Sequence, residues 1–290
     1  MKIDAHQHFW QFDPVRDEWM TEGSMSAIRR DFLPTDLQPI LQQNGFDGCI
    51  TVQADQSETE THFLLDLAHK NDFIKGVVGW VDIRANNLSE RLDYFSQFPK
   101  LKGFRHILQG EKPEFMLQKS FIEGVKLLGE QGYTYDILVF PRHLSAVHKF
   151  LQTLDNQPFV IDHLAKPYIK NGLIKQWKRD MQRIAKYENV WCKVSGMVTE
   201  ADWSNWQAVD FEPYLDVIFE AFGVDRIIYG SDWPVCLLAA SYDKQLSIVE
   251  NYLSKLSDAI ASGSAATQGS KVFGKNALLF YKIAFPQNLS

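Results

Sequence analysis

Short apolar runs recur along the chain, and most are followed by a longer segment with the 3.6-residue period of an amphipathic helix. Runs of this length, rich in Val, Ile and aromatic residues, predict buried strands. Besides a first strand that begins at residue 2, strands are predicted at Gly48–Gln53, Gly76–Asp82, Leu101–Ile107, Thr134–Phe140, Pro158–His163, Val190–Ser195 and Arg226–Asp232. After a first helix that ends near Asn44, helices are predicted at Thr59–Lys70, Asn87–Phe98, Phe115–Glu130, Arg142–Leu154, Leu173–Tyr187 and Phe211–Phe222.

Strands that alternate with helices predict a parallel sheet, because crossover helices join parallel strands. Eight such units most simply form an α/β fold of the (β/α)8 TIM-barrel type, with an open doubly wound sheet as the alternative. No Gly-x-Gly-x-x-Gly motif follows a strand, so dinucleotide binding has no support. The segment Ala261–Ser270 is interpreted as a loop between helices, and no linker divides the chain. We therefore expect residues 1–290 to form a single domain.

Composition and charge exclude several classes of function. The net charge of −6 is spread along the chain without a basic run, which disfavours nucleic acid or an anionic membrane as a partner. No apolar stretch approaches the roughly 20 residues of a membrane span, and no secretory signal is expected. Cys49, Cys192 and Cys236 lie far apart, in or beside apolar runs, which favours buried thiols and a cytoplasmic location.

In a barrel of this type the active site lies at the carboxyl ends of the strands. The first strand carries His6 and His8, whose side chains share one face about 7 Å apart because side chains alternate along a strand. Two such imidazoles can bind a metal or a reacting oxygen, although a pair of solvated edge residues is the simpler alternative. The other strand ends carry Gln53, Asp55, Asp82, Arg84, Arg105, His106, Asp136, Arg142, Asp162, His163, Lys166, Lys193, Ser195, Ser231 and Asp232.

Adjacent residues of a strand point to opposite faces, so one member of each adjacent pair is predicted to face the barrel. At the sixth strand we expect His163 to face inward and Asp162 to face the helices. For Arg105 and His106 the sequence leaves the choice open. Asp232 ends an apolar strand just before a tryptophan; it could cap a turn, but desolvation of its charged form suits proton transfer.

Eight stretches, in order along nearly the whole chain, carry a resemblance to a known family. They are Asp4–Trp10, Arg30–Pro34, Val52–Ala54, Gly103–His106, Asp162–Pro167, Lys193–Gly196, Gly230–Pro234 and Asn276–Ala277. The chain resembles the amidohydrolase superfamily, and within it the amidohydrolase 2 branch of TIM-barrel proteins. That branch contains sugar lactonases of the L-fuconolactonase and L-rhamnonolactonase kinds and 2-pyrone-4,6-dicarboxylate lactonase. One residue departs from the family pattern, since Ala165 stands where the family often has Gly.

The resemblance implies that His6, His8, His163 and Asp232 form the catalytic centre. Three imidazoles and a carboxylate are a suitable set of zinc ligands. A second metal is not expected, because the fifth predicted strand contains no lysine or histidine. One divalent metal, most simply zinc, is therefore expected, and metal-free binding of substrate and water by the same four groups is left open.

The resemblance also implies hydrolysis of a sugar-acid lactone, with Asp232 as general base and then general acid. The expected catalytic residues are Asp232, His163 and His106. The expected substrate-binding residues are Arg105, Gln53, Lys193, Trp10, Trp19 and Trp233.

Three alternatives to a sugar lactonase stay open. One is hydrolysis of a dicarboxylated pyrone, and another is metal-dependent decarboxylation of an aromatic or semialdehyde acid. The third is a barrel that binds its ligand without catalysis. Each implies a small-molecule partner, and the oligomeric state, a homo-oligomer included, is not decided by the sequence.

Overall fold

The structure, a computed structural model, describes residues 1–154, 157–259 and 265–284. Each strand pairs in parallel with the next strand along the chain. The strands are β1 (Ile3–Gln7), β2 (Gly48–Val52), β3 (Ile74–Gly79), β4 (Leu101–His106), β5 (Thr134–Ile137), β6 (Phe159–Ile161), β7 (Val190–Val194) and β8 (Ile227–Tyr229). The predicted (β/α)8 TIM barrel is confirmed.

Helices lie between successive strands and after the last one. They are α1 (Pro34–Gln43), α2 (Glu58–Lys70), α3 (Leu88–Phe95), α4 (Lys119–Glu130), α5 (Leu144–Leu151), α6 (Lys175–Ile184), α7 (Glu212–Phe222), α8 (Tyr242–Ala259), α9 (Ala265–Ser270) and α10 (Asn276–Phe280). One prediction here is partly wrong. Of the expected loop Ala261–Ser270, residues 261–264 lie outside the described residues, and the remainder is the helix α9.

The barrel closes where β1 meets the segment that follows β8. The backbone N–H of His8 donates to the carbonyl oxygen of Trp233 at 2.7 Å, and the N–H of Asp232 donates to the carbonyl oxygen of His6 at 2.7 Å. The two ends of the barrel sheet are therefore joined directly beside the predicted catalytic residues.

A buried carboxylate reinforces this closure. Asp4 on β1 is fully buried, and its Oδ1 accepts the backbone N–H of Ser231 at 2.9 Å and that of His6 at 3.2 Å. Its Oδ2 accepts the hydroxyl of Tyr242, the first residue of α8, at 3.1 Å. One side chain thus joins the first strand, the segment after the last strand and the helix that follows it.

Apolar side chains fill two layers. Between the sheet and the helices lies a large cluster, and inside the barrel a smaller one includes Ile3, Ala5, Ile50, Val52, Val78, Val160 and Ile228. Residues of α10 belong to the inner cluster, so the last helix packs against the inside of the barrel. Cys49, Cys192 and Cys236 are free and buried, as the sequence predicts. Within the described ranges, no helix combines the length and apolarity that crossing a membrane requires.

Candidate active site

A cavity of about 300 Å³ lies at the carboxyl ends of the strands. This volume is within the range of small-molecule sites. Its walls combine titratable side chains, two tryptophans and several apolar residues. The lining residues are His8, Trp10, Trp19, Ala54, Arg105, Ile107, Gln109, Leu138, His163, Lys166, Asp232 and Val235.

Three imidazoles surround one carboxylate oxygen at the base of this cavity. Asp232 Oδ1 lies 3.3 Å from Nε2 of His8, 3.8 Å from Nε2 of His163 and 3.9 Å from Nε2 of His6. The ring centroids of His6 and His8 are 5.0 Å apart, and those of His6 and His163 are 4.3 Å apart. The first, sixth and eighth strands therefore bring these four residues together, as the resemblance implies.

The second nitrogen of two of these rings is held by a hydrogen-bonding partner. Nδ1 of His8 lies 2.7 Å from the carbonyl oxygen of Val52, which can only accept, so Nδ1 carries a proton. Nδ1 of His163 lies 2.8 Å from the hydroxyl of Ser195. Partners of this kind orient imidazoles that bind metals.

His6 is held by charged groups instead. Its Nδ1 lies 3.3 Å from Oδ1 of Asp162 and 3.3 Å from Nζ of Lys193. Its Nε2 accepts a hydrogen bond from Nη1 of Arg105 at 3.3 Å. Because a guanidinium can only donate, the lone pair of Nε2 faces Arg105, and Oδ1 of Asp232 lies 3.9 Å from the same nitrogen.

Burial sets the charge states of the site. It lowers the pKa of His6 and of His163 well below the usual value, so both rings are neutral at pH 7. Burial would raise the pKa of Asp232, but the neighbouring His163 and His8 more than offset it, and that pKa is lowered. The result is an ionised carboxylate beside the neutral rings of His6 and His163.

A buried ion cluster lies behind His6. Nζ of Lys193 is 2.5 Å from Oδ2 of Asp136 and 3.0 Å from Oδ1 of Asp162, and all three side chains are fully buried. Arg105 Nη1 donates to Asp162 Oδ2 at 3.1 Å. Burial would raise the pKa of Asp162, but Lys193 and His6 hold it well below its usual range. Burial raises the pKa of Asp136 to about 6, with Lys193 acting against that rise.

The prediction that Asp162 faces the helices is wrong. β6 ends at Ile161, and His163 to Lys166 all have positive φ, between 50° and 58°. The alternation of a strand does not apply to a left-handed turn. Both Asp162 and His163 therefore point into the barrel.

Gly196 makes the close approach of His163 possible. Its φ is +59°, and a Cβ at this position would lie 2.5 Å from Nδ1 of His163 and 3.1 Å from Oδ2 of Asp232. Only glycine combines this backbone conformation with that approach at low cost.

At β4 the structure answers the question that the sequence leaves open. Arg105 points inward and lines the cavity. His106 points away from it, stacks on Phe115 with ring centroids 5.1 Å apart, and has Nε2 3.5 Å from Oε1 of Glu111. Because His106 lies outside the cavity, our prediction of a catalytic role for it has no support in the geometry.

The other predicted substrate-binding residues divide into two groups. Trp10 and Trp19 line the cavity, with ring centroids 6.4 Å apart. Gln53 lies behind Arg105, because its Nε2 donates to the Arg105 carbonyl at 3.1 Å and its own carbonyl accepts from the guanidinium. Lys193 and Trp233 are buried too and do not line the cavity: Lys193 belongs to the ion cluster, and Trp233 packs on Phe9 and Phe32.

The structure also brings residues to the cavity for which the sequence predicts no role. Lys166, which the sequence places at the sixth strand end without assigning it a role, lies in the cavity wall. Ile107, Gln109, Leu138 and Val235 give no signal in the sequence, since nothing separates them from ordinary core or loop residues.

The ligand set fits one divalent metal. One ligand atom from each of His6, His8 and Asp232 can be chosen so that all lie within 4.8 Å of one another. The neutral rings of His6 and His163, the ionised carboxylate and the partners on Nδ1 are the features of a zinc site with oriented ligands. His163, whose Nε2 also faces Asp232, would complete a four-ligand set.

Comparison with known proteins identifies the family of the chain. The family model described as Amidohydrolase matches residues 3–283, nearly the whole chain. The chain belongs to the amidohydrolase family. This amidohydrolase is 39% identical, over 99% of its length and 97% of the relative, to an L-fucono-1,5-lactonase of Burkholderia multivorans. It is 35% identical to an L-fucono-1,5-lactonase of Burkholderia ambifaria, over 98% of its own length and 97% of the relative.

A solved structure supports both the fold and the metal fit. An amidohydrolase of Burkholderia multivorans with bound zinc superposes on this amidohydrolase with a TM-score of 0.92 and 38% sequence identity. The match covers 98% of this chain and 100% of the other.

Proposed function

We propose that this amidohydrolase hydrolyses a lactone of a sugar acid, of the L-fucono-1,5-lactone type. The observation that carries the proposal is the identity of 39% and 35%, over nearly the full length, with two L-fucono-1,5-lactonases. The cavity supports the same substrate class. Its volume of about 300 Å³ suits a single sugar ring, and Trp10 and Trp19 offer aromatic faces to such a ring.

In the proposed reaction Asp232 is the general base. Its ionised carboxylate takes a proton from a water molecule as the water oxygen bonds to the ester carbonyl carbon. The bond from that carbon to the ring oxygen then breaks, and Asp232 returns the proton to the ring oxygen. The product is an open-chain hydroxy acid, which loses its acidic proton to solvent at neutral pH.

The imidazoles and Arg105 have supporting roles. A divalent metal held by His6, His8, His163 and Asp232 would act as a Lewis acid on the ester carbonyl. Ser195 and Val52 keep the rings of His163 and His8 in place. The guanidinium of Arg105 donates to the buried Asp162 and provides positive charge at the cavity wall.

A dicarboxylated pyrone would require several convergent cations. Of the five cations that the sequence predicts near the rim, Arg105 and Lys166 line the cavity, whereas Lys193 is buried in the ion cluster. Arg84 lies over the Phe115 ring, and Arg142 donates to the carbonyl of Gln109. This distribution favours a neutral polyol ring over a dianion.

The test combines elemental analysis of the purified protein with a pH-indicator assay of aldonolactones, a pyrone dicarboxylate and aromatic acids. Release of acid from L-fucono-1,5-lactone is expected, with one zinc or similar metal per chain. Asp232→Asn should lower kcat by about 10²- to 10⁴-fold, the usual contribution of a general base. Asp202→Asn, which changes a carboxylate outside the cavity, is the control. Release of carbon dioxide without lactone hydrolysis would contradict the proposal, and a near wild-type rate for Asp232→Asn would rule out the base.

A further inference from the structure

Two ion pairs connect the loops that follow β6 and β7, and the two pairs differ in their exposure to solvent. Nζ of Lys166 is 3.1 Å from Oε1 of Glu200, and Nζ of Lys170 is 3.2 Å from Oδ2 of Asp202. The Lys166 side chain is only 17% exposed and lines the cavity, whereas that of Lys170 is 62% exposed and does not. The first pair belongs to the active-site wall and the second to the outer surface.

The backbone brings Lys166 to the cavity at an energetic cost. It is the last of the four left-handed residues that begin at His163, with φ 50°. Its N–H donates to the carbonyl oxygen of His163 at 2.7 Å, and the Trp177 indole donates to the carbonyl oxygen of Leu164 at 2.7 Å. Left-handed conformations cost non-glycine residues about 1–3 kcal/mol each and cluster at functional sites. The same turn orients both His163 and Lys166.

Lys166 has hydrogen-bonding capacity to spare, whereas both terminal nitrogens of Arg105 already have partners within the protein. Nη1 of Arg105 faces Asp162 and His6, and Nη2 donates to the carbonyl oxygen of Gln53. A lysine ammonium has three N–H donors. Among the described residues the structure gives Lys166 one side-chain hydrogen bond, to Glu200. Lys166 can therefore donate to a ligand while Glu200 holds it in place.

We propose that Lys166, held in place by Glu200, is a subsite for the carboxylate that forms when the lactone ring opens. The inference rests on the proposed function. Ring opening converts a neutral substrate into an anion, and Asp232 in the same cavity is itself anionic. An ammonium in the cavity wall offsets this repulsion and donates to the new carboxylate. Lys166 contacts the product in this scheme, and Glu200 is a positioning residue.

The test compares two probes that differ in one group. L-Fuconate carries the carboxylate, and L-fucitol carries a hydroxymethyl group in its place. Calorimetric titration of the purified full chain, with its metal content measured, should show tighter binding of L-fuconate. Lys166→Met should weaken L-fuconate binding by about 10- to 100-fold, the range for a lost charged hydrogen bond, and change L-fucitol binding by less than about threefold.

Three further variants separate charge recognition from structural damage. Lys166→Arg should retain the preference for the acid, because it retains the charge. Lys170→Met, the matched change on the outer surface, should change neither affinity. Glu200→Gln removes a competing anion, so L-fuconate should bind at least as tightly as to wild type. With product release slowed and the lysine less well oriented, kcat should fall in this variant more than KM changes.

Several results would overturn the inference: no preference for L-fuconate in the wild type, a preference that survives Lys166→Met, or an equal loss in Lys170→Met. An unchanged kcat in Glu200→Gln would remove Glu200 from it. The lactone assay is scored separately. A wild type that hydrolyses no lactone but loses its L-fuconate preference in Lys166→Met refutes the proposed function and keeps the subsite. A wild type that hydrolyses the lactone, together with a Lys166→Met variant that keeps its preference for L-fuconate, supports the proposed function and refutes the subsite.

Discussion

Gly196 determines how closely His163 can approach Asp232. A methyl group at this position would overlap the imidazole, since the calculated Cβ lies 2.5 Å from Nδ1 of His163. The ring would have to move away from Ser195, which holds Nδ1 at 2.8 Å. A residue without a functional group therefore controls the geometry of one that has a proposed role.

Gly196→Ala should disrupt the site, and Gly172→Ala is its matched control. Both glycines have φ near +60°, but a Cβ at Gly172 would meet no atom within 4 Å. Each variant should lose about 1–2 kcal/mol from backbone strain. Gly196→Ala should in addition lose stability from the overlap, and its metal content and lactone turnover should fall at least about tenfold. Denaturant unfolding and elemental analysis measure both effects, and equal behaviour of the two variants would show that the contact is unimportant.

At the residue scale, the sequence predicts the site where ordinary strand geometry holds. His6 lies on β1, so alternation with His8 correctly places both rings in the barrel. The rule fails at His163: Val160 and Asp162 alternate inward as a strand requires, and His163, where the left-handed turn begins, then points inward as well. None of the four left-handed residues is glycine or asparagine, so the residue types signal this turn only weakly, through His163 and through the Gly that the family often has where Ala165 stands.

The helix α2 contributes a carboxylate that is neutral over part of the physiological pH range. Glu60 is 4% exposed, and its Oε1 accepts the backbone N–H of Ala54, just after β2, at 3.1 Å. Burial raises its pKa from 4.5 to about 7, and the Ala54 hydrogen bond and the charge of Arg16 act against that rise. This hydrogen bond joins α2 to Ala54, which follows β2 and lines the cavity.

This shift makes stability depend on pH in a defined direction. The folded chain binds the Glu60 proton more tightly than the unfolded chain, so the stabilisation from the neutral form is complete below pH 4.5. It is lost as the pH rises to about 7. Glu60→Gln stays neutral and can still accept from Ala54.

The Tm of Glu60→Gln relative to wild type should therefore be higher at pH 8 than at pH 5. Thermal unfolding across this range measures the difference. Glu220→Gln, at an exposed position of α7, controls for the loss of one negative charge. A difference that does not vary with pH would show that Glu60 is charged in the folded protein throughout.

At the element scale, the sequence predicts the order of strands and helices better than their ends. The predicted helix Phe115–Glu130 begins only at Lys119, because Pro113–Leu117 forms a separate 3₁₀ turn. The apolar period runs through both pieces, since Phe115 and Phe121 pack on each other with ring centroids 5.4 Å apart. The apolar period indicates which side of the segment faces the core. It does not indicate where 3₁₀ hydrogen bonding gives way to that of an α-helix.

The closure of the barrel depends on Asp4 at the level of the whole molecule. Asp4→Ala would remove the carboxylate that accepts hydrogen bonds from the buried backbone N–H groups of Ser231 and His6. It would also remove the acceptor of the Tyr242 hydroxyl. We expect a loss of about 2–5 kcal/mol in the free energy of unfolding, because each unsatisfied buried group costs about 1–3 kcal/mol.

Tyr242→Phe removes one of these hydrogen bonds and leaves the two backbone donors paired, so it should cost about 0.5–1.5 kcal/mol. Equilibrium unfolding in urea gives both values. If Asp4→Ala lowers the free energy of unfolding no more than Tyr242→Phe does, the contacts between β1 and β8 close the barrel without the carboxylate.

The position of the proposed catalytic groups along the chain has a consequence for synthesis. His6 and Asp232 are separated by 226 positions, yet their side chains share one cavity. At about 5–20 residues per second, a ribosome needs roughly ten seconds to most of a minute to proceed from one to the other. Throughout that interval the nascent polypeptide carries His6 and His8 without the carboxylate of Asp232, so the proposed site cannot assemble before residue 232 has been made.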